Sequence, residues 1–418
     1  MRLRALVLAL VVFLPGALGA QTLAIRAGHV IDPATGKIAD KQIILVRDTK
    51  IVEVGPQVSV PPDAEVIDLS SSWVLPGLMD AHTHLTLNMP PKGLLAWEMT
   101  VARETSAHRA LLGVRNARQV LEAGFTVIRD AGNSANYADT DMRGVIEKGW
   151  FPGPTVVNCG KIIAPFGGQF RVFSPEQGRF WQYEYIDADT PEEVRRGVRQ
   201  NVYYGAKAIK LVSENYPYFS EEDVRAAVEE ARHAGLTVAV HAYGGEAARN
   251  AIVAGADSIE HGFELSDDLL ALMKQKGTVL VGTDFPLAHL EALGPIGSQT
   301  PRQLSEKITD RLRRAYRAGV KMAFGTDTVS DLPGKTRADM MLDYLEVWQA
   351  AGIPPSEVLK AMTTNAAELF RLQKERGAIA PGLAADIIAV PENPLENIQA
   401  LRKVHFVMKD GAVIRRPR

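Results

Sequence analysis

The chain of 418 residues is 46% hydrophobic and 23% charged, which is the ordinary composition of a globular enzyme with a large buried core. Its formal net charge of −2 gives no electrostatic reason to expect nucleic acid or an anionic membrane surface as a partner. Cys159 is the single cysteine, so no disulfide can form within the chain, and a buried, inert thiol is expected there.

The first twenty residues form a segment of their own. Arg2 and Arg4 precede an apolar run that ends at Leu14, and small residues follow up to Ala20. Because this run is too short to span a bilayer comfortably, it predicts a secretory signal peptide. Cleavage is expected after Ala20 or after Ala17, and the mature chain would then be periplasmic or secreted. An uncleaved membrane anchor is the alternative.

Residues 76–380 alternate helical stretches with short apolar strands that are rich in β-branched residues. Six helical stretches end in glycine just before a strand, and glycine is the residue that most readily adopts the left-handed conformation ending a helix. These glycines are Gly124, Gly205, Gly235, Gly255, Gly277 and Gly319. Strands are predicted before His82 and at 126–130, 155–159, 208–212, 237–241, 258–261, 278–281 and 321–327. Eight strands with intervening helices predict an α/β fold, a (β/α)8 barrel of the TIM type.

Both ends of the chain carry strand-like segments outside this repeat. They lie at 23–32 and 42–46 before the barrel, and at 386–390 and 404–411 after it. Lys409-Asp410-Gly411-Ala412 also has the sequence of a hairpin turn. We therefore expect a small β-sandwich built from both termini, with residues 21–75 as its first part and 381–418 as its second.

Residues that can bind a metal ion lie at or near the carboxyl ends of the predicted strands. His82 and His84 are two positions apart, which places both imidazoles on one side of a strand. The others are Lys210, His241, His261 and Asp327. Taken singly, a lysine can form a salt bridge, a histidine can be a hydrogen-bonded core residue and an aspartate can cap a turn. Because active sites of such barrels form where the carboxyl ends of the strands converge, the shared placement indicates a metallohydrolase.

Two stretches carry a resemblance to a known family. Residues 76–84 (PGLMDAHTH) resemble the first-strand signature of the amidohydrolase superfamily, and residues 377–386 (GAIAPGLAAD) resemble its return to the β-sandwich. Residues 127–132 and 241–244 point to the binuclear metal-dependent branch, which holds imidazolonepropionase-like proteins and Xaa-Pro or Xaa-Lys/Arg dipeptidases. The resemblance covers nearly the whole mature chain.

The resemblance implies a centre of two divalent metal ions. His82, His84 and Asp327 would hold one ion, and His241 and His261 the other. Four imidazoles with carboxylate oxygens suit zinc, with manganese, cobalt or iron as alternatives.

Lys210 would bridge both ions as an N-carboxylated lysine. An ordinary ammonium group would be repelled by two dications, whereas carbamylation by carbon dioxide turns the side chain into an anion with two oxygen donors.

The implied reaction is hydrolysis of an amide or peptide bond by a hydroxide that bridges the two ions. Asp327 would accept a proton and pass it to the departing amine. A dipeptide or an N-acyl amino acid is the expected small-molecule substrate, and the aromatic stretch at 164–183 fits a bulky aromatic acyl group. A lactonase, an esterase or a cyclic-amide hydrolase would use the same parts, and a non-catalytic binding protein is a further alternative. Homo-oligomers are common in this family.

Three residues are candidate substrate contacts. Tyr243 is predicted to donate to the developing oxyanion or to a substrate carboxylate, with packing on the barrel rim as the alternative. Arg129 could bind a substrate carboxylate, with pairing to Asp130 or another acid as the alternative. Gln169 lies near the place where dipeptidase relatives often carry a histidine after strand 3, and residues 213–217 (SENYP) replace their Gly-Gly run after the bridging lysine. Prolidase specificity is therefore not expected to carry over.

Overall fold

The structure, a computed structural model, describes residues 22–90, 96–170, 174–214, 217–294 and 299–417. The predicted signal peptide at residues 1–20 lies outside the described residues. Within the described ranges, no helix is both long enough and apolar enough to cross a membrane.

Strands alternate with helices through the middle of the described chain, while its ends are mostly strand. The strands are β1 (Thr22–Asp32), β2 (Lys37–Arg47), β3 (Lys50–Gly55), β4 (Glu65–Pro76), β5 (Leu78–Thr83), β6 (Phe125–Asp130), β7 (Thr155–Asn158), β8 (Ile162–Ala164), β9 (Tyr185–Asp187), β10 (Ile209–Val212), β11 (Val238–Gly244), β12 (Ser258–Glu264), β13 (Val279–Val281), β14 (Ile387–Val390), β15 (Phe406–Lys409) and β16 (Ala412–Arg415). The helices are α1 (Ala96–Arg103), α2 (Ser106–Glu122), α3 (Ala138–Glu147), α4 (Pro191–Tyr203), α5 (Glu221–His233), α6 (Gly245–Ala254), α7 (Asp267–Lys276), α8 (Leu287–Leu293), α9 (Pro301–Ala318), α10 (Arg337–Asp343), α11 (Leu345–Ala350), α12 (Pro355–Ala361) and α13 (Thr364–Leu369).

The two ends of the chain pair into one seven-stranded sheet, ordered β16-β15-β14-β4-β1-β2-β3. Antiparallel pairing of β14 with β4 joins the carboxy-terminal strands to the amino-terminal ones. The predicted hairpin is confirmed, because β15 and β16 are joined by Asp410 and Gly411, whose φ angles of 46° and 75° suit a tight two-residue turn. The folding of this sheet into a two-layered sandwich stays a prediction.

The central strands form two parallel sheets, ordered β13-β12-β11-β10-β8-β9 and β5-β6-β7. The α/β class predicted from the sequence is therefore confirmed. All six glycines that were expected to end helices have positive φ, between 72° and 99°, which confirms the turn into each following strand. A single closed ring of eight strands is not formed by these ladders, and the (β/α)8 barrel stays a prediction at this point.

Two features of the central sheets differ from the sequence prediction. The expected eighth strand at 321–327 makes only an isolated β-bridge, between Met322 and Leu280. The amides of Thr326 and Asp327 both bond to the His82 carbonyl, at 3.2 and 2.7 Å, and a regular ladder cannot form around a shared acceptor. The structure also adds β8 and β9, which are three residues each and too short to give a periodic sequence signal.

Gly325 allows segment 321–327 to lie against the first strand of the central sheets. A Cβ atom at this position would come 2.4 Å from Val281 Cγ1 and 3.0 Å from the His82 Cβ atom. We therefore expect Gly325→Ala to lower the free energy of unfolding by about 1–3 kcal/mol through overpacking. Thermal denaturation followed by circular dichroism measures the effect as a lower Tm.

Gly144→Ala is the matched control, because Gly144 lies inside α3 and a Cβ atom there would meet nothing within 4 Å. This control should melt at the same temperature as the wild type or slightly higher, since alanine favours helix over glycine. Equal melting temperatures for the two variants would contradict the close approach at Gly325.

Candidate active site

A cavity of about 210 Å³ lies where the carboxyl ends of the central strands meet. All six metal-binding candidates from the sequence line it: His82, His84, Lys210, His241, His261 and Asp327. They come from β5 and the loop after it, from β10, β11 and β12, and from segment 321–327. The structure thus brings together residues that are far apart in sequence.

The carboxylate of Asp327 lies at the centre of this group. Its Oδ1 atom is 3.1 Å from His84 Nε2 and 3.7 Å from His82 Nε2, and its Oδ2 atom is 3.8 Å from His261 Nδ1. Lys210 Nζ lies 3.4 Å from His82 Nε2. Ligand atoms of His82, His261 and Asp327 all lie within 4.8 Å of one another. Two donors that each lie about 2 Å from one ion are at most about 4 Å apart, and the three distances from the Asp327 carboxylate meet this limit, so the group fits a divalent cation.

Burial favours the neutral form of three imidazoles in the cavity. It lowers the pKa of His82 to about 3, with the nearby charge of Lys210 acting in the same direction. Burial also lowers the pKa of His241 and of His261. For Asp327, burial opposes ionisation, but His82 and neighbouring groups outweigh it and hold the pKa below its ordinary value. Neutral imidazoles and an ionised carboxylate are the forms that bind metal ions.

Hydrogen bonds fix the Nδ1 atoms of two of the metal-binding candidates, His82 and His84. His82 donates from Nδ1 to Glu260 Oε2 at 2.6 Å, and His84 donates from Nδ1 to the carbonyl oxygen of Gly132 at 2.8 Å. Each bond leaves the Nε2 lone pair directed towards Asp327. Metal-binding histidines are oriented in this way by a carboxylate or a carbonyl group.

Arg129 lies behind the site rather than in it. Its guanidinium group is fully buried, with Nη2 bonded to Glu260 Oε1 at 2.6 Å and Nε bonded to the Ala81 carbonyl at 2.7 Å. Glu260 is buried too, which would raise its pKa, but Arg129 and His82 together hold that pKa well below the ordinary value. Of the two arrangements expected for Arg129, the structure has the pairing with an acid, and it does not bring Arg129 to the cavity.

Three residues at the site have a left-handed backbone conformation. The φ angles are 69° for His261, 52° for Asp327 and 45° for Thr283. Thr283 Oγ1 lies 2.8 Å from His261 Nδ1, so two of the three are in contact. Such conformations cost about 1–2 kcal/mol for a non-glycine residue, and they cluster where function fixes a side chain.

Tyr243 and Gln169 both line the cavity, as the sequence predicted for substrate contacts. The Tyr243 ring stacks on Phe263 with 5.3 Å between centroids and lies 4.9 Å from the His241 ring. Gln169 donates from Nε2 to Glu214 Oε2 at 2.9 Å. The direct contact of each with substrate stays a prediction.

Part of the cavity wall is apolar, and sequence reasoning missed most of it. It is lined by Leu87, Met89, Trp97, Phe263, Phe285 and Val329. Trp97 stacks on Phe170 with 4.4 Å between ring centroids, so Phe170 of the predicted aromatic stretch packs against this wall. Glu260 was also missed, although it lies next to His261 in the sequence and could have drawn attention there.

Comparison with known proteins identifies the family. The sequence model described as "Amidohydrolase family" matches residues 73–414. The chain belongs to the amidohydrolase family. Ochratoxinase of Aspergillus niger is 29% identical over 437 aligned positions, which cover 95% of this chain and 88% of that protein. Imidazolonepropionase of Symbiobacterium thermophilum is 27% identical, with 88% of this chain and 90% of that protein covered.

A solved structure extends the similarity to the fold. A Xaa-Pro dipeptidase with bound methionine in its active site superposes with a TM-score of 0.80 at 29% identity, covering 94% of this chain and all of that one. The predicted superfamily and its binuclear branch are confirmed. This amidohydrolase is therefore an enzyme, a metal-dependent amide hydrolase of a family that generally uses divalent metal ions, and its substrate is a small molecule.

Glu260 should control how tightly the site holds metal. Glu260→Gln removes the negative charge that accepts the His82 hydrogen bond, so we expect metal affinity to fall by about 10- to 100-fold. Metal retained after dialysis against a chelator of known affinity measures the change.

Glu264→Gln serves as the control, because Glu264 ends the same strand but is exposed and pairs with Lys307. Equal metal retention by the Glu260 and Glu264 variants, with both folded by circular dichroism, would show that the buried carboxylate has no influence on the site.

Proposed function

We propose that this amidohydrolase cleaves the amide bond of a dipeptide or an N-acyl amino acid, with a bulky and often aromatic acyl half. The observation that carries the proposal is one cavity that is lined by six metal-binding candidates and also by apolar side chains. The similarity to ochratoxinase and to a Xaa-Pro dipeptidase supports an amide bond as the target. An apolar wall of this kind suits an uncharged hydrocarbon or aromatic group.

The donor set suits two zinc ions. His82, His84 and Asp327 would hold one, and His241 and His261 the other, since imidazole nitrogens with carboxylate oxygens are ligands that zinc prefers. When bound, the ions would lower the pKa of water and polarise the scissile carbonyl group.

Lys210 is suited to carboxylation. Its side chain is buried, and burial lowers the pKa of its amine below the ordinary value. A neutral amine attacks carbon dioxide, forms an N–C bond and releases a proton, and the carbamate that results carries a negative charge. That charge suits a position between two cations, where an ammonium group would be repelled.

Asp327 and Tyr243 supply the proton chemistry. Because the pKa of Asp327 lies below its ordinary value, the carboxylate is ionised and can accept a proton before passing it to the departing amine. Burial raises the pKa of Tyr243 above its ordinary value, so its hydroxyl keeps its proton and can donate a hydrogen bond to the developing oxyanion.

The two central sheets are proposed to close into one (β/α)8 barrel through segment 321–327. The Leu280 amide bonds to the Lys321 carbonyl at 2.9 Å, and the Ala81 amide bonds to the Phe324 carbonyl at 2.7 Å. These bonds support a connection from β13 through the segment to β5. At the other break, the amides of residues 207 and 208 bond to the Asn158 carbonyl, which supports a connection from β7 to β10.

Lys210→Ala tests the metal centre together with the function. Wild-type protein supplied with zinc and bicarbonate should hold two equivalents of metal and cleave amides in a panel of dipeptides and N-acyl amino acids. The variant should hold much less metal and lose cleavage, because the bridging anion is gone. Metal content by elemental analysis and amine release by chromatography are the measurements.

Lys207→Ala is a suitable control, since Lys207 lies three residues away in the same connection but is exposed. Two outcomes would contradict the proposal: metal content unchanged by the Lys210 substitution, or wild-type protein that cleaves lactones or esters in the same panel but no amide.

Tyr243→Phe separates the hydroxyl group of this residue from its ring. Removing one oxyanion donor typically lowers kcat by about 10²- to 10³-fold, whereas the stacking on Phe263 needs only the ring. We expect kcat to fall in that range with metal content unchanged, measured by steady-state kinetics.

Tyr203→Phe is the control, because the Tyr203 side chain is exposed at the end of α4. If kcat of the Tyr243 variant equals that of the control, Tyr243 has a packing role alone.

A further inference from the structure

Glu214 and Gln169 form a hydrogen-bonded pair at the edge of the cavity. Gln169 Nε2 donates to Glu214 Oε2 at 2.9 Å, and the same carboxylate oxygen lies 2.9 Å from His241 Nε2. The Gln169 amide is fixed in turn, because its Oε1 atom accepts a hydrogen bond from the buried Tyr185 hydroxyl at 2.9 Å. Gln169 and His241 both line the cavity, so the carboxylate of Glu214 contacts two of the residues that line it.

Glu214 belongs to the segment, and Gln169 lies near the position, where the sequence departs from the dipeptidase pattern. A Gly-Gly run has no side chains, so the acid at position 214 introduces a negative charge close to the reacting centre. Gln169 orients this charge, since an amide can donate to the carboxylate while accepting from Tyr185. Glu214 and Gln169 are therefore in direct contact and form one hydrogen-bonded unit.

The position of Glu214 differs from that of the metal-binding group. Among the described residues, the ligand atoms that lie mutually within 4.8 Å belong to His82, His261 and Asp327. Glu214 is not one of them, and neither is His241, which Glu214 contacts together with Gln169, whose Nε2 atom is 3.5 Å from His241 Nε2. The carboxylate therefore meets the metal-binding candidates through His241.

We propose that Glu214 binds the α-ammonium group of the substrate, so that the acyl half is an aminoacyl residue with a free amine. This rests on the proposed amide hydrolysis. In such a substrate one carbon atom separates the ammonium nitrogen from the scissile carbonyl carbon, so an acceptor for the ammonium group must lie directly beside the reacting centre. Glu214, in contact with His241, has that position. An N-acylated analogue has a neutral amide in place of the ammonium group, so it presents no positive charge to Glu214.

The apolar wall completes this arrangement. With the ammonium group at Glu214 and the carbonyl group near Asp327, the side chain of the aminoacyl residue would lie against Trp97 and Phe285, which line the cavity. A hydrophobic or aromatic amino-terminal residue fits this wall, and a carboxylate side chain there would be repelled by Glu214.

The test compares L-phenylalanyl-L-alanine with its N-formyl derivative, using wild-type protein, Glu214→Gln and Glu214→Asp. We expect the wild type to prefer the dipeptide with the free amine. Glu214→Gln should lower kcat/KM for that dipeptide by about 10- to 100-fold, because a charge-assisted hydrogen bond is lost. The kcat/KM of Glu214→Gln for the formylated dipeptide should differ little from that of the wild type. Glu214→Asp keeps the charge and should retain part of the preference, and Glu264→Gln should behave as the wild type.

Three results would overturn the proposal: equal loss for both substrates in Glu214→Gln, a wild-type preference for the formylated compound, or loss of bound metal in Glu214→Gln. If neither compound is cleaved, amide hydrolysis of such substrates fails as the function, and calorimetric binding of the uncleaved pair decides the ammonium site. Tighter binding of the free amine that Glu214→Gln abolishes would support the site, and equal binding would exclude it.

Discussion

Three buried polar groups in series connect the strands that form the site. The Arg129 guanidinium on β6 bonds to the Glu260 carboxylate on β12, which accepts from the His82 imidazole on β5. Taking these charges out of water is costly, and the cost is offset only when each group finds its partners in good geometry. Any shift between these strands would break a bond and leave a charge buried without compensation. The series therefore couples the register of the central sheets to the direction in which His82 Nε2 points.

The same site contains contacts that folding alone would not favour. Asp327 and His261 have left-handed backbone conformations, and burial together with the neighbouring His241 and His82 lowers the pKa of His261. A ligand that binds the folded state but not the unfolded state stabilises the folded state by mass action. A cation bound at this site would offset the local costs in this way. The neutral imidazoles and the ionised Asp327 carboxylate are already in the protonation states that a cation needs. The backbone strain and the protonation states thus both favour a bound cation at this site.

The sequence predicted the location of a candidate residue correctly where the residue could be recognised from its own strand alone. His241 and His261 stand near the ends of β-branched strands that follow a glycine, so their convergence on one cavity could be expected from the strand order alone. Contacts between distant strands could not be predicted in this way. Glu260 and His82 are 178 positions apart, and their pairing depends on which strands become neighbours in space. Two arrangements were open for Arg129 for the same reason, since only the folded chain shows that the acid within its reach is Glu260.

The two walls of the cavity differ in how sharply they can select a substrate. An apolar wall distinguishes ligands by about 1–3 kcal/mol for each methylene group, because dispersion and burial vary gradually with size. A fixed charge discriminates more strongly, since an ion in a partly desolvated site must be matched by its opposite. Trp97 and Phe285 would therefore admit a range of side chains, whereas Glu214 would decide between a charged and an acylated amine. On the proposal made above, Glu214 would set the class of substrate, and the apolar wall would set its range.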